Sequence, residues 1–411
     1  MIKFDRFTLD NGLKVIVHQD KTTPVVTMNI LYNVGAKDED PDLTGFAHLF
    51  EHLMFGGSVN IPKYDEPLQK VGGENNAFTN NDITNYYLSI PKENIETAFW
   101  IESDRMLDLA FSEKSLEVQR NVVIEEFNQR YLNQPYGDLW LLLRPLVFKK
   151  HPYQWATIGK DILHIENAKM EDVKAFYKKY YNPNNAIMVI AGDVNFDEVK
   201  QLSEKWFAPI EKGEVVVRDI PTETVQTQAR FLQVERDVPV NAIFKVYHMC
   251  GRTDADYHAT DLISDIMANG KSSRLHQKLV KEQQLFTSIQ AYISADIHPG
   301  MFVFAGYLSD GVDPKQADEA LKKEIDSLIA NGIEQDELQK VKNKVESMLT
   351  FSDISTLDRA MNLAYHELLG DANEINNELK KYQSVTTDDI QRIANQILQD
   401  SNSTSLHYLK K

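Results

Sequence analysis

The stretch Gly45-Phe46-Ala47-His48-Leu49-Phe50-Glu51-His52-Leu53-Met54-Phe55 decides how this chain is read. On a helix, His48 and His52 stand one turn apart and share a face. Two imidazoles so placed can chelate one ion. Glu51 follows His48 by three residues on nearly the same face, so its carboxylate can reach a water on that ion. A single histidine on a helix is usually structural. Here two histidines flank a glutamate on an otherwise apolar helix, and burying three ionisable groups without a partner is costly. A metal offsets that cost directly.

A third ligand is expected from another helix. The candidate is Glu126, 74 residues after His52, on a predicted helix that starts at Ser112 and carries Val122, Val123 and Phe127 on its apolar side. The adjacent Glu125 is read as the solvated member of the pair. Cysteine cannot complete the site, because Cys250 is the sole cysteine. Any tightly held metal therefore uses histidine and carboxylate ligands.

Working outward, residues 3–32 read as strand, turn and strands, with Asp10-Asn11-Gly12 as a turn signal. Gly35 to Leu43 is a polar loop, and Thr44 is the expected cap of the histidine helix. A short helix up to Val71 ends at Gly72-Gly73. The polar stretch Glu74 to Asp82 follows, and Thr84 to Ile90 is a strand. Ala186 to Gly192 reads as a buried strand. Residues 209–228 lack aromatic residues and helical period, and are expected to be a linker.

The second half repeats the first. The strand ending at Tyr247 parallels the one ending at Tyr32, an offset of 215, and the segment at Asp389 parallels that at Asp172, an offset of 217. Two parallels at nearly one offset indicate a duplicated unit. The expected architecture is α+β: a repeat over 1–208, the linker 209–228 and a second repeat over 229–411, each a mostly antiparallel sheet with packed helices. The second copy of the histidine helix contains no His-x-x-Glu-His, so the metal site is expected in the first half alone.

The 411 residues suit several lobes, and 42% hydrophobic with 26% charged residues is a soluble globular balance. A net charge of −17 argues against nucleic acid or an anionic membrane as the main partner. A lone cysteine and an opening without an apolar leader make a cytoplasmic location the expectation.

The order His-x-x-Glu-His is that of the inverted zinc peptidases. With Val122-Val123-Ile124-Glu125-Glu126, Gly72-Gly73, Asn76-Ala77-Phe78-Thr79, Thr84-x-Tyr86-Tyr87 and Asn182-Pro183-Asn184-Asn185…Gly192-Asp193, the chain resembles the pitrilysin/insulinase family of zinc metallopeptidases, in its short-chain branch of processing peptidases. The resemblance spans the whole chain. It implies one Zn²⁺ held by His48, His52 and Glu126, with Glu51 as general base, Asn76, Ala77, Phe78 and Thr79 as an edge strand binding an extended peptide, and a clamshell half enclosing a chamber. Two positions depart from the family. Gln119 stands where many relatives have a second glutamate. Val280 and Thr287 stand where complete relatives carry an Arg and a Tyr that bind substrate. The resemblance then implies a heterodimer with a homologous Arg/Tyr-bearing chain, or failing that a homodimer. A dedicated precursor-processing protease, a structural subunit of the same fold and a metal-binding module without hydrolysis are the competing readings.

Overall fold

The computed structural model describes residues 1–411, arranged as two compact units. The first comprises residues 1–129, 155–221 and 350–377. The second comprises 130–154, 222–349 and 378–411. The mid-chain boundary falls after Pro221, inside the expected linker. The units are nevertheless not contiguous repeats, because each takes in a segment from the other half of the sequence.

The first unit holds β1 (Asp5–Thr8), β2 (Lys14–Gln19), β3 (Val25–Tyr32), β4 (Glu74–Thr79), β5 (Thr84–Pro91) and β6 (Ala186–Gly192), in the order β1-β2-β6-β3-β5-β4. β2 and β6 run parallel and the other neighbours antiparallel. The central β6 is buried along its whole length, as its unbroken Ile-Met-Val-Ile run predicts. At the edge, β4 alternates exposed and half-buried residues. Its helices include α1 (Phe46–Leu53), α2 (Asp65–Lys70), α3 (Ile95–Leu107) and α4 (Glu113–Phe127).

The second unit begins with α5 (Leu139–Val147). It holds β7 (Arg230–Arg236), β8 (Ala242–His248), β9 (Phe286–Ile293), β10 (Met301–Leu308) and β11 (Ser403–Lys410), in the order β7-β11-β8-β10-β9. β7 and β11 are its parallel pair. The two orders correspond strand for strand once β1 is set aside, which supports the duplication.

The exchanged segments have a packing reason. Each sheet has two apolar faces, and local helices cover one. On the first sheet, Ala360, Leu363 and Ala364 of the helix Thr356–Leu369 pack on Ile16, Leu31 and Val189. On the second, Leu139, Leu143 and Val147 of α5 pack on Phe244, Val303 and Leu406. Residues 209–228 lack regular structure beyond a turn at their start, as expected of a linker, but they are tied down. Within the first unit the Gly213 N–H donates to Asn184 Oδ1 at 2.8 Å and Arg218 pairs with Asp38 at 2.6 Å. Within the second, Glu223 Oε2 accepts from the amides of Lys149, Lys150 and His151 at 2.9, 2.8 and 2.9 Å. No helix is long and apolar enough to cross a membrane.

Candidate metal centre

The helix α1 starts at Gly45, whose φ of 88° is left-handed. A Cβ there would also come within 2.7 Å of the Ile158 carbonyl oxygen, so glycine is required twice over. The expected Thr44 cap is not the one used. The Thr44 hydroxyl lies 2.9 Å from His164 Nδ1 and accepts the Lys160 N–H at 2.9 Å. The first-turn donors go instead to Glu39, which accepts the amides of Gly45 and Ala47 at 2.9 and 2.8 Å. Burial pushes the Glu39 carboxyl up to about 8, against the pull of those donors.

Phe46, Ala47, Leu49, Phe50 and Leu53 form the buried face of α1. Phe50 stacks on Phe176 and Tyr181 at centroid distances of 5.0 and 5.1 Å. Beyond the helix end, Phe55 and Tyr86 flank the buried Arg105 guanidinium at 5.6 and 4.5 Å. Arg105 is in turn paired with the buried Glu102 at 2.6 Å.

Ser112 does cap α4, accepting the Ser115 N–H at 3.1 Å. Leu116, Val123 and Phe127 are its buried residues. Val122, expected on that face, is 44% exposed, because one residue before Val123 is a 100° rotation away. Glu125 is exposed and accepts from Gln129 at 2.7 Å. Glu126 is thereby the glutamate that faces α1.

His48 Nε2 and His52 Nε2 lie 3.6 and 3.5 Å from Glu126 Oε2. The two imidazole rings stand edge to face, 4.9 Å apart. Candidate ligand atoms from the three residues all lie within 4.8 Å of one another. Tetrahedral zinc with bonds of about 2.1 Å has ligand atoms about 3.4 Å apart, so two imidazoles and a carboxylate at these separations fit the ion.

Glu51 lies beside this cluster without joining it. Burial raises its pKa, while the neighbouring Thr79 and the His52 beside it pull the other way. Asn76 to Thr79 form the end of β4, as the resemblance implied. The four divide between faces. Ala77 and Thr79 stand opposite Tyr86 and Thr84, and the Tyr86 hydroxyl donates to the Phe50 carbonyl of α1 at 3.4 Å. Asn76 and Phe78 alternate to the other side, and Asn76 Oδ1 accepts the Ala77 N–H at 2.8 Å.

In the second unit, the helix Tyr257–Ala268 corresponds to α1. Matching the two helix starts places Ala259, Leu262 and Ile263 at the positions of His48, Glu51 and His52, all buried and apolar. Val280 packs against that unit's core, and the Thr287 hydroxyl donates to the Tyr307 carbonyl at 3.1 Å. Gln119 is half-buried on α4. Sequence reasoning missed the contacts of Glu39, Arg105 and Thr79 with the site. Each lies nine or more residues from the histidines, with no local pattern to announce it.

Residues 14–137 match the family model described as Insulinase (Peptidase family M16), and residues 167–345 match Peptidase M16 inactive domain. The zinc protease PqqE of Helicobacter pylori is 30% identical over 416 residues, covering 98% of this chain and 92% of its own. The uncharacterised zinc protease YmxG of Bacillus subtilis is 24% identical, covering 99% and 98%. Among solved structures, a protease from Helicobacter pylori matches with a TM-score of 0.93 at 28% identity, over 99% of this chain and 100% of that one. Pitrilysin matches in fold, with a TM-score of 0.81 at 18% identity, over 99% of this chain and 45% of that one.

Proposed function

The chain belongs to peptidase family M16, the insulinase and pitrilysin family, and from that premise we propose that it is a zinc metalloendopeptidase subunit that cuts short or unfolded peptides inside a closed chamber. The observation that carries this is the convergence of His48, His52 and Glu126 beside a separate, partly desolvated Glu51. When bound, one zinc ion per chain would bring the pKa of a water towards neutrality and polarise a peptide carbonyl.

The remaining roles fall to the chain's own residues. His48, His52 and Glu126 hold the ion. Burial makes the Glu51 carboxylate more basic, suited to taking a proton and passing it to the leaving amine. The open edge of β4, Asn76, Ala77, Phe78 and Thr79, holds the peptide by strand addition. The Ala77 N–H is covered there by its neighbour Asn76, which must swing aside for a peptide carbonyl to use it.

Neither Val280 nor Thr287 offers a charge or a phenol to a developing oxyanion, usually a large contribution to catalysis. We therefore propose a homologous Arg/Tyr-bearing partner chain. Cys250 alone supports a reducing, cytoplasmic setting. The name of the inactive-domain model favours a second reading, a non-catalytic subunit. That model, however, matches residues 167–345, which contain none of the four site residues.

Zinc analysis, with cleavage of unstructured peptides alone and beside a homologous chain, tests the proposal. The native chain should carry stoichiometric zinc. Glu51→Gln should keep the zinc and lose cleavage by roughly 10²–10⁴-fold. A native chain without zinc, or a Glu51→Gln variant as active as native, would overturn it.

A further inference from the structure

A second cleft of the first unit lies on the connection between the metal helix and the edge strand. Its walls are the loop that follows α1, the short helix α2 and one side of α3. Its volume is about 550 Å³, within the roughly 300–1,000 Å³ usual for small-molecule sites. No residue that lines it is a metal ligand, Glu51 or part of β4, so it is separate from the metal centre.

The walls are fixed to one another by the chain's own bonds. In the loop, the Asn60 backbone N–H and side-chain amide donate to the Asp104 carboxylate of α3 at 3.2 and 2.7 Å. Gly57, with a left-handed φ of 101°, sits where a Cβ would run into the Pro62 carbonyl oxygen, so the loop folds tightly on itself. At the other end, Asn94 donates to the Val71 carbonyl at the close of α2 at 3.1 Å. The cleft is therefore preformed, and filling it costs little ordering.

The lining points to one kind of occupant. Ile61, Pro62, Pro67, Val71 and Trp100 supply an apolar surface. The polar groups beside them are mainly donors. The Lys70 ammonium, the Thr97 hydroxyl and the Trp100 indole N–H have no hydrogen-bond partner in the chain. Glu66, the one carboxylate on the lining, is paired with Lys63 at 2.6 Å. Two lysines thus share one carboxylate, in a chain whose net charge is −17. A cation would find no free negative charge there. An inorganic anion would leave the apolar walls uncovered. A peptide strand would meet helices and a loop, with no open sheet edge to join.

We propose that this cleft binds a small aromatic carboxylate. Its ring packs against Trp100 and the two prolines, and its carboxylate accepts a charge-assisted hydrogen bond from Lys70. Nothing in this assignment depends on peptide cleavage.

Calorimetric titration of the full chain with naphthoate tests it, with the neutral naphthamide as the uncharged control. Naphthoate should bind one-to-one, with a Kd between about 10 μM and 1 mM for a ligand of about a dozen heavy atoms. Lys70 is exposed, so Lys70→Gln leaves the fold intact. That variant should bind naphthoate about two- to fivefold more weakly and naphthamide as the native chain does. Trp100→Ala should weaken both ligands by at least about tenfold, and Trp100→Phe should restore part of the loss. Absence of saturable naphthoate binding would overturn the proposal. So would equal native affinity for the acid and the amide, or affinities unchanged in both Lys70→Gln and Trp100→Ala. Binding that is lost in His52→Ala but kept in Trp100→Ala would place the carboxylate at the metal centre and overturn the cleft assignment.

Discussion

The helix α1 and the helix Tyr257–Ala268 occupy equivalent places in two units built to one plan, and they have opposite uses. In the first, the positions facing α4 and β4 carry His48, Glu51 and His52. In the second they carry Ala259, Leu262 and Ile263, all buried. Both helices are steadied by an arginine–glutamate pair: the fully buried Arg105 with Glu102 at 2.6 Å in the first unit, and the half-buried Arg252 with Glu378 at 2.6 Å in the second. In both units an arginine also lies over an aromatic ring, Arg105 over Tyr86 and Arg252 over Tyr257, each at 4.5 Å. The scaffold does not need the polar triad, since the second unit assembles without it. The triad is a site placed on a fold that is stable for other reasons.

That comparison breaks most visibly at one pair of positions. His52→Ala should weaken zinc binding by at least about 10²-fold and abolish cleavage while the chain stays folded, because the imidazole is part-exposed and its loss opens no deep cavity. The counterpart Ile263→Ala should do the reverse. Its side chain is fully buried, so the truncation should cost about 2–5 kcal/mol of stability and leave zinc affinity unchanged. Zinc titration and thermal melts of both variants check this. A zinc loss in Ile263→Ala would break the comparison between the two helices.

Much of this difference was legible in the sequence, and the reasons are local. His48, Glu51 and His52 lie within five residues, so helical geometry alone brings them together. Glu126 was reachable because its helix has a Ser112 cap and buried Val123 and Phe127 to fix its phase. The duplication was visible because one strand and one helical segment recur at nearly constant offset, while the matching strand orders had to come from the structure. What escaped was non-local. Nothing near residues 356–369 says that Ala360 and Leu363 cover the first sheet, or that α5 covers the second. A helix with an apolar stripe declares that it packs, not on what. Val122 was misplaced because consecutive apolar residues on a helix cannot all face one way. Glu39 was overlooked because its loop to α1 has no capping signature: the carboxylate returns from six residues before Gly45.

The props beneath the two helices give a smaller test. Arg105 is fully buried and meets Phe55, Tyr64 and Tyr86 through its guanidinium face, while its edge pairs with Glu102. Arg105→Met retains length and apolar contact but leaves the Glu102 carboxylate without a countercharge, held by the Tyr64 hydroxyl alone. Breaking a buried pair by removing one partner costs about 3–5 kcal/mol, and denaturant melts should show it. The double variant Arg105→Met/Glu102→Gln should recover part of that loss, because no unpaired charge is then left inside. Equal stability of single and double variants would show that the ring contacts, not the ion pair, carry Arg105.

The smallest expected effect concerns how each helix begins. No side chain caps the start of the helix Tyr257–Ala268, and the exposed Asp254 in the loop before it accepts only the loop amide of Gly251, at 2.7 Å. At the start of α1, by contrast, Glu39 accepts the amides of Gly45 and Ala47 in a closed environment, where burial lifts its carboxyl from 4.5 to about 8. A carboxyl whose pKa is higher in the folded chain binds its proton more tightly there. Its contribution to stability is therefore full below about 4.5 and is lost as pH rises to about 8. The slope is at most about 1.4 kcal/mol per pH unit for one group. Glu39→Gln is neutral throughout and still offers a carbonyl oxygen to one amide of α1. Relative to native, the variant's unfolding free energy should fall less steeply between pH 5 and pH 8, a range spanned by those two values. Parallel curves would show that the amides of Gly45 and Ala47 keep Glu39 ionised despite its burial. The start of α1 would then hold a buried negative charge for which its counterpart, with no side-chain cap, has no equivalent.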